Sequence, residues 1–376
     1  MSKIDLHIVA FNVPLPADYG GVIDVFYKLK ALSSLGVKIA LHCFDYGRGE
    51  QHELTKFAAE VHYYPREVSK VYALFSSPFT VKSRHGKELL TRLAADEAPI
   101  LFESLQSCLY LDHESLAFKK KYVRAHNVEH HYYRSLANYE SAGIRKAYYL
   151  KEAHALEKFE SILSHAEAVF PISEKDAAYF ENLKLKTHYL PAFYHDMRQV
   201  EKVDQEIKNV ALYHGNLQVE ENVEAVLFLL EVFKELPYQL VVAGAKPGMP
   251  VTRVSKHMKN VTLVESPSDE VMFELIQTSK LNCLPTFQST GIKLKLLHAL
   301  TSGNELLVNS AMVDGTGLVR YCQLAESQSE WRAKITEVME QDLAQKQIEQ
   351  RQNLVADLFD NHKNATRLVE WLGLAQ

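Results

Sequence analysis

Residues 210–245 read VALYHGNLQVEENVEAVLFLLEVFKELPYQLVVAGA. Val210–His214 is a short apolar run, and Gln239–Ala243 is a second, apolar on both faces as a buried parallel strand requires. Between them Val223, Val226, Leu227, Leu230 and Phe233 recur at helical spacing, so residues 222–235 predict an amphipathic helix. Strand, helix and strand make one βαβ unit, the building block of a parallel sheet.

The same alternation extends in both directions. In the first half the strand candidates are Leu6–Val13, Val37–Phe44, Val61–Tyr64, Ile100–Glu103, Tyr122–His126 and Ala168–Ile172. The second half adds Val261–Val264, Leu281–Leu284 and Glu305–Asn309, the last within "ELLVNS". Helix-length segments separate them, including a single long or bent helix over 144–165. Alternation repeated twice predicts an α/β protein of two doubly wound, Rossmann-like domains. Polar residues 195–208 mark the boundary, giving 1–198 as the first domain and 199–355 as the second. Residues 356–376 regain an amphipathic stripe at Leu368, Trp371 and Leu372 that must dock against something. Ligands of such sheets bind beyond the carboxyl ends of the strands, and two facing sheets would enclose a cleft.

Bulk composition narrows the class. The chain has 376 residues, long enough for two cores, with 47% apolar and 24% charged residues and a formal net charge of −5. That balance gives no general attraction to nucleic acid or anionic lipid, and Lys119–Lys121 reads as a small solvated basic spot. Cys43, Cys108, Cys283 and Cys322 lie far apart without metal or redox spacing, which suits a reducing cytoplasm. Met1–Ala10 has a strand pattern and not that of a secretory signal, and no apolar stretch is long enough to span a bilayer. The sequon at Asn364–Thr366 has no meaning without secretion.

Several motifs follow strands. Gly20 and Gly21 open a predicted helix running to Leu35, where free amides could face an anion, although a glycine pair is also an ordinary turn. His126-Asn127-Val128-Glu129-His130 matches a zinc-protease pattern, H-x-x-E-H, but His126 ends a strand, so a histidine that meets substrate or simply packs is the better reading. His214-Gly215-Asn216 and Gly244 occupy strand-to-helix turns where a phosphate or sugar could approach the backbone; a tight turn is the competing explanation. In "QSTGIKLKLLHALTSG", residues 288–303, a helix is expected from Gly291 to Leu300, closed by Gly303. Lys293 and Lys295 stand two residues apart, roughly 200° around a helix, so at most one can sit on a solvated face. A cation in a first helical turn opposes the dipole unless an anion meets it.

Six of these stretches in this order resemble the two-domain (GT-B fold) glycosyltransferases, particularly the family 4 retaining enzymes. They are "YGGVIDVFYKLKALSSLGVKIALH", "VRAHNVEHHYY", "VFPISEKDAAYF", "LYHGNLQVEENVEAV", "LVVAGAKP" and "STGIKLKLLHALTSGNELLVNS". The resemblance implies a donor site on the second domain, an acceptor site on the first, no metal, and a last helix returning to the first domain. It assigns Gly20 and Gly21 to a loop near the donor phosphates and His126 to the neighbourhood of the transferred sugar. The family's glutamate pair falls on Thr290 and His298, so both carboxylates are replaced, and its arginine/lysine pair after the first strand of the second domain is not evident around His214–Gln218.

The resulting expectation is a cytoplasmic enzyme, at most peripheral to the inner face of the plasma membrane. It would move a sugar from a nucleotide-diphospho-sugar to a glycan or glycolipid acceptor in cell-envelope polysaccharide synthesis, with retained configuration and no cofactor. His126, Lys293 and Lys295 are its expected catalytic groups. Gly20, Gly21, His214, Gly215, Asn216, Gly244, Glu265, Thr290, Gly291 and His298 are expected on the donor side, with Glu103 and Asn127 facing the acceptor. Two other readings compete. A hydrolysing nucleotide-sugar epimerase would need cleft carboxylates, with Glu103 and Glu129 as candidates. A catalytically degenerate sugar-nucleotide-binding subunit would explain the lost glutamates.

Overall fold

A computed structural model describes residues 3–68, 77–140, 143–196, 206–288 and 293–374. Met1–His195 and Phe359–Gln376 form one compact unit, and Asp196–Leu358 a second. The first unit holds strands β1 (Leu6–Ala10), β2 (Ile39–Asp45), β3 (Glu60–Pro65), β4 (Ile100–Glu103), β5 (Lys121–Ala125) and β6 (Ala168–Pro171). The second holds β7 (Lys208–His214), β8 (Gln239–Gly244), β9 (Val261–Glu265), β10 (Ser279–Leu284), β11 (Glu305–Val308) and β12 (Gln323–Leu324).

Both sheets are parallel and share one order. The first runs β3-β2-β1-β4-β5-β6, and the second, from its other edge, β9-β8-β7-β10-β11-β12. In each, the winding reverses between the first and fourth strands, and that reversal places a crevice beyond their carboxyl ends. The switch points are therefore β1/β4 and β7/β10.

Strand burial follows from the pleat. Along β1, Leu6, Ile8 and Ala10 enter one apolar cluster while Val9 enters the cluster on the opposite face. Helix Gly20–Ser34 covers the first face with Val22, Val25, Leu29 and Leu32. The final helix, Asn361–Leu372, packs on it and adds Leu368, Val369 and Leu372 to the same core. Trp371 stacks on His188 at 4.9 Å and on Phe170 at 5.7 Å between ring centroids. The segment 144–165 is bent: an α-helix over Ile144–Phe159 tightens into a 3-10 turn over Glu160–His165.

Of the strand boundaries that move relative to the sequence reading, two bear on the site. Strand β1 stops at Ala10, and β5 stops at Ala125, which leaves His126 in the connection. The additional strand β12 has two residues and pairs through Leu307 and Gln323, too short to leave a periodic signal. Among the described residues, no helix is long and apolar enough to cross a membrane.

Candidate functional site

At the second switch point β7 delivers His214 and β10 delivers the connection to helix Leu294–Ser302. That helix begins three residues later than its glycine suggested: Lys293 is its N-cap, in extended conformation, and Gly303 closes it. Lys293 therefore precedes the first turn, and Thr290 and Gly291 lie outside the described residues. Neither lysine occupies a solvated face. Lys293 Nζ pairs with Glu221 Oε1 at 3.2 Å. Lys295 Nζ donates to Asn222 Oδ1 at 2.7 Å and to Tyr213 Oη at 3.1 Å, and lies 5.0 Å from the Tyr213 ring centre. Glu221 and Asn222 both belong to the first turn of helix Glu220–Phe233. Burial pushes the Lys295 ammonium down to about 8, with Glu221 opposing the shift and Lys293 adding to it.

The surrounding groups are fixed by packing. Gly215 packs beside Asn222 and Tyr213, where a Cβ would make ordinary contact at 3.4 Å. Gly244, by contrast, has to be glycine: a Cβ there would stand 1.9 Å from the Gly215 carbonyl oxygen. The glycine expected to admit a ligand thus admits the neighbouring backbone. Asn309 clamps the end of β10, accepting from the Thr286 amide at 3.1 Å and donating to its carbonyl at 2.6 Å. His214 is buried, and desolvation holds its pKa well below the usual range, with His298 and Lys295 acting in the same direction. It is a neutral imidazole, and its Nε2 has no hydrogen-bond partner among the described residues. The side-chain nitrogen of buried Gln288 is in the same state. Buried polar atoms without partners mark places where a ligand or water completes the set. Asn216 is exposed and caps its loop, accepting from the Gln218 amide at 3.0 Å. His298 is half-buried on the Leu294 helix. Glu265 is exposed at the end of edge strand β9, two strand spacings or about 10 Å across the sheet from β7.

The first switch point is built differently. Here Glu103 and His126, expected to face substrate, are buried in an ionic network. Lys28 Nζ lies 2.9 Å from Asp24 and 2.9 Å from Glu103. Arg124 grips Asp24 with two nitrogens at 2.7 and 3.1 Å, and His126 Nε2 is 3.1 Å from Glu103 Oε2. Burial alone would raise the Asp24 carboxyl, but Arg124 and Lys28 outweigh it and hold it far below the usual range. Asp24, Glu103 and His126 bring ligand atoms within 4.8 Å of one another, as a metal site would. Two carboxylates facing two buried cations are already neutralised, so these residues do not fit a divalent ion. The zinc-protease spacing fails as well. His126 precedes helix Glu129–Tyr139, while His130 lies inside it and faces Glu160 at 3.4 Å.

Gly20 is exposed with open space around it, whereas a Cβ on Gly21 would strike the Phe11 ring at 2.7 Å. Asn127 is half-buried. Sequence reasoning did not single out Lys28, Asp24 and Arg124, which look like ordinary charged positions until the strands bring them together. Ser104 is also new: it adopts a left-handed φ of 66° after β4 and donates to Glu129 Oε1 at 2.6 Å. Burial raises the Glu129 carboxyl above its usual range, with Ser104 and Gln106 opposing the shift.

Two parallel sheets of 3-2-1-4-5-6 order on one chain define a known architecture, and comparison with solved structures identifies it. HepE from Anabaena, solved with UDP and glucose, superposes with a TM-score of 0.65 over 99% of this chain and 100% of its own, at 10% identity. The fold is GT-B. A glycosyltransferase from Rickettsia africae shares this GT-B architecture with a TM-score of 0.65, 14% identity, and coverage of 99% and 98%. The lipopolysaccharide outer core galactosyltransferase WaaB does so with a TM-score of 0.64, 14% identity, and coverage of 96% and 99%. In sequence, the chain is 27% identical over 337 residues to an uncharacterized 44.6 kDa protein in the cps region of Klebsiella pneumoniae, covering 82% of this chain and 84% of that one. No protein-family model matches.

Proposed function

We propose that this GT-B protein is a glycosyltransferase that moves a sugar from a nucleotide-diphospho-sugar to a glycan or glycolipid acceptor, with retained configuration and without a metal. The observation that carries the reading is Lys295: a cation held at the β7/β10 switch point, beside the start of a helix and two unpartnered polar groups. A partly buried ammonium without a carboxylate in direct contact is set up for a ligand's negative charge. Helix-terminal amides and Lys295 would stabilise charge on the departing diphosphate, an electrostatic contribution that grows during bond breaking. Neutral His214 is suited to a hydroxyl, and Gln288, on the connection after β10, offers an amide donor. The acceptor proton passes to a phosphate oxygen of the leaving group, so no strong protein base is needed. The GT-B neighbours solved with UDP and glucose support the donor class. The galactosyltransferase neighbour and the cps-region relative support a role in cell-envelope polysaccharide.

The test is calorimetric titration of UDP into the wild-type chain and into Lys295→Met. A loss of at least about tenfold in affinity, equivalent to 1.4 kcal/mol, is expected. Equal affinity would remove the diphosphate from Lys295. Incubation with UDP-sugars and no acceptor should leave the sugar configuration unchanged, because Glu103 is neutralised by Lys28 and unavailable for elimination chemistry.

A further inference from the structure

Across the carboxyl ends of β1, β2 and β3, the first unit gathers two arginines that form no ion pair with an acid among the described residues. Arg84 is 4% exposed, and its guanidinium is held by backbone: Nε donates to the Phe11 carbonyl at 2.8 Å and Nη1 to that of Thr80. Its Nη2 makes no hydrogen bond to a described residue, and it forms no salt bridge among them. Arg66, just beyond β3, is half-buried. Its Nε donates to Ser83 Oγ at 2.9 Å, and its guanidinium covers the Tyr46 ring at 4.7 Å and the Phe79 ring at 5.7 Å. Both of its terminal nitrogens are without described partners.

The acids that might pair with them are committed elsewhere. Glu152 accepts from the Phe79 and Thr80 amides and the Thr80 hydroxyl at 2.7–3.0 Å. Glu129 is held by Ser104 and Gln106, Glu67 by His85 at 2.8 Å, and Asp18 by Arg48 at 2.6 Å. Residues 69–76, which join the two arginines, contain no aspartate or glutamate. The second guanidinium depresses the first: burial, then Arg66, pulls the Arg84 pKa down to about 9, with Tyr133, Tyr19 and Glu129 only partly opposing the shift. Burying a guanidinium without a countercharge forfeits solvation with no Coulombic return. Two adjacent ones with free planar donors match an oxyanion, for which arginine is the preferred partner. Tyr46, 56% exposed, and Tyr19, 41% exposed, stand nearby, each with an arginine over its ring, Arg66 on Tyr46 and Arg48 on Tyr19.

We propose that Arg66 and Arg84 bind an anionic group on the acceptor, so that the acceptor is a phosphorylated or uronic-acid-containing glycan and not a neutral one. The inference rests on the glycosyltransferase reading for the word acceptor; the anion site itself does not. The test titrates the full-length protein at low salt with glucose 6-phosphate, glucuronate and glucose, and separately with UDP. At least one anionic sugar should bind about tenfold more tightly than glucose, and Arg66→Gln should remove that preference while leaving UDP affinity unchanged. Which anionic sugar is preferred separates a phosphate source from a carboxylate one. Arg84→Lys keeps the buried charge but loses the fork, and should weaken the anionic sugar in a protein that still folds. Equal binding of all three sugars, or no effect of Arg66→Gln, overturns the proposal. Weaker UDP binding by Arg66→Gln also overturns it, assigning the arginines to the donor. Absence of UDP binding with the sugar preference intact would sink the donor reading alone and leave the anion site standing.

Discussion

Lys295 carries its charge where charge is costly, and that cost defines its behaviour. Its folded pKa of about 8 lies below the usual lysine value of 10.5. Between those values the unfolded chain holds a proton that the folded one has lost, so stability rises with pH across that window. Below about 8 both states are protonated and the penalty is constant. Lys295→Met is therefore expected to raise stability at pH 7 by roughly 1–3 kcal/mol in urea unfolding, while weakening UDP. A stabilised protein with a damaged ligand site is the signature of a functional residue and not a structural one. UDP affinity should also fall above about pH 8, as the ammonium deprotonates. Below that pH, Lys293 is no substitute, because Glu221 already holds it. Calorimetry of UDP across pH 7–9.5 checks this, and a flat profile would contradict it.

At the scale of elements, one buried cation ties helix Gly20–Ser34 to the sheet. Lys28 bridges Asp24 on its own helix and Glu103 at the end of β4, while Arg124 from β5 holds Asp24 from the other side. Removing Lys28 leaves a buried carboxylate short of its countercharge. Lys28→Met should cost about 3–5 kcal/mol in chemical denaturation. A double change, Lys28→Met with Glu103→Gln, should recover part of that loss. The last helix has a similar tie of apolar kind. Leu368, Val369 and Leu372 share a core with Leu29 and Leu32, so truncation after Leu358 uncovers that face of the first unit. Leu368→Ala should cost about 2–5 kcal/mol, read from the same unfolding experiment.

Over the molecule as a whole, acid sensitivity should come from buried histidines in both units, His214 in the second and a linked pair in the first. His7, His42 and Tyr64 form a hydrogen-bonded chain from Asp96 inward, with His7–His42 and His42–Tyr64 contacts of 2.9 Å. Burial lowers the pKa of His7, and that of His42 further. The unfolded chain therefore binds protons first as pH falls through about 6.5, and stability is lost from there downward. Asp24 adds nothing to that loss until the ordinary carboxylate range near 3.8 is reached. Thermal unfolding between pH 7.5 and 5 should show a falling midpoint, flattened in His42→Phe.

Eleven of the twelve strands were legible because each is a short apolar run bounded by helical periodicity, and both properties are local. β12, with two residues, has no such pattern. Glycines at strand ends were equally visible, but their purpose was not. Gly244 reads as a place for a phosphate until the Gly215 carbonyl is found against it. His126 and Glu103 read as substrate groups until Lys28, from a helix 75 residues before Glu103, is found between the carboxylates. Local pattern, set by side-chain period and backbone sterics, determined the two doubly wound sheets. Which charges are neutralised and which are left open depends on contacts between residues remote in sequence, and only the tertiary structure decided that. It closed the Glu103–His126 site with an internal salt bridge and left Lys295, Arg66 and Arg84 without one among the described residues, because Coulombic pairing acts over a few ångströms of space and takes no account of distance along the chain.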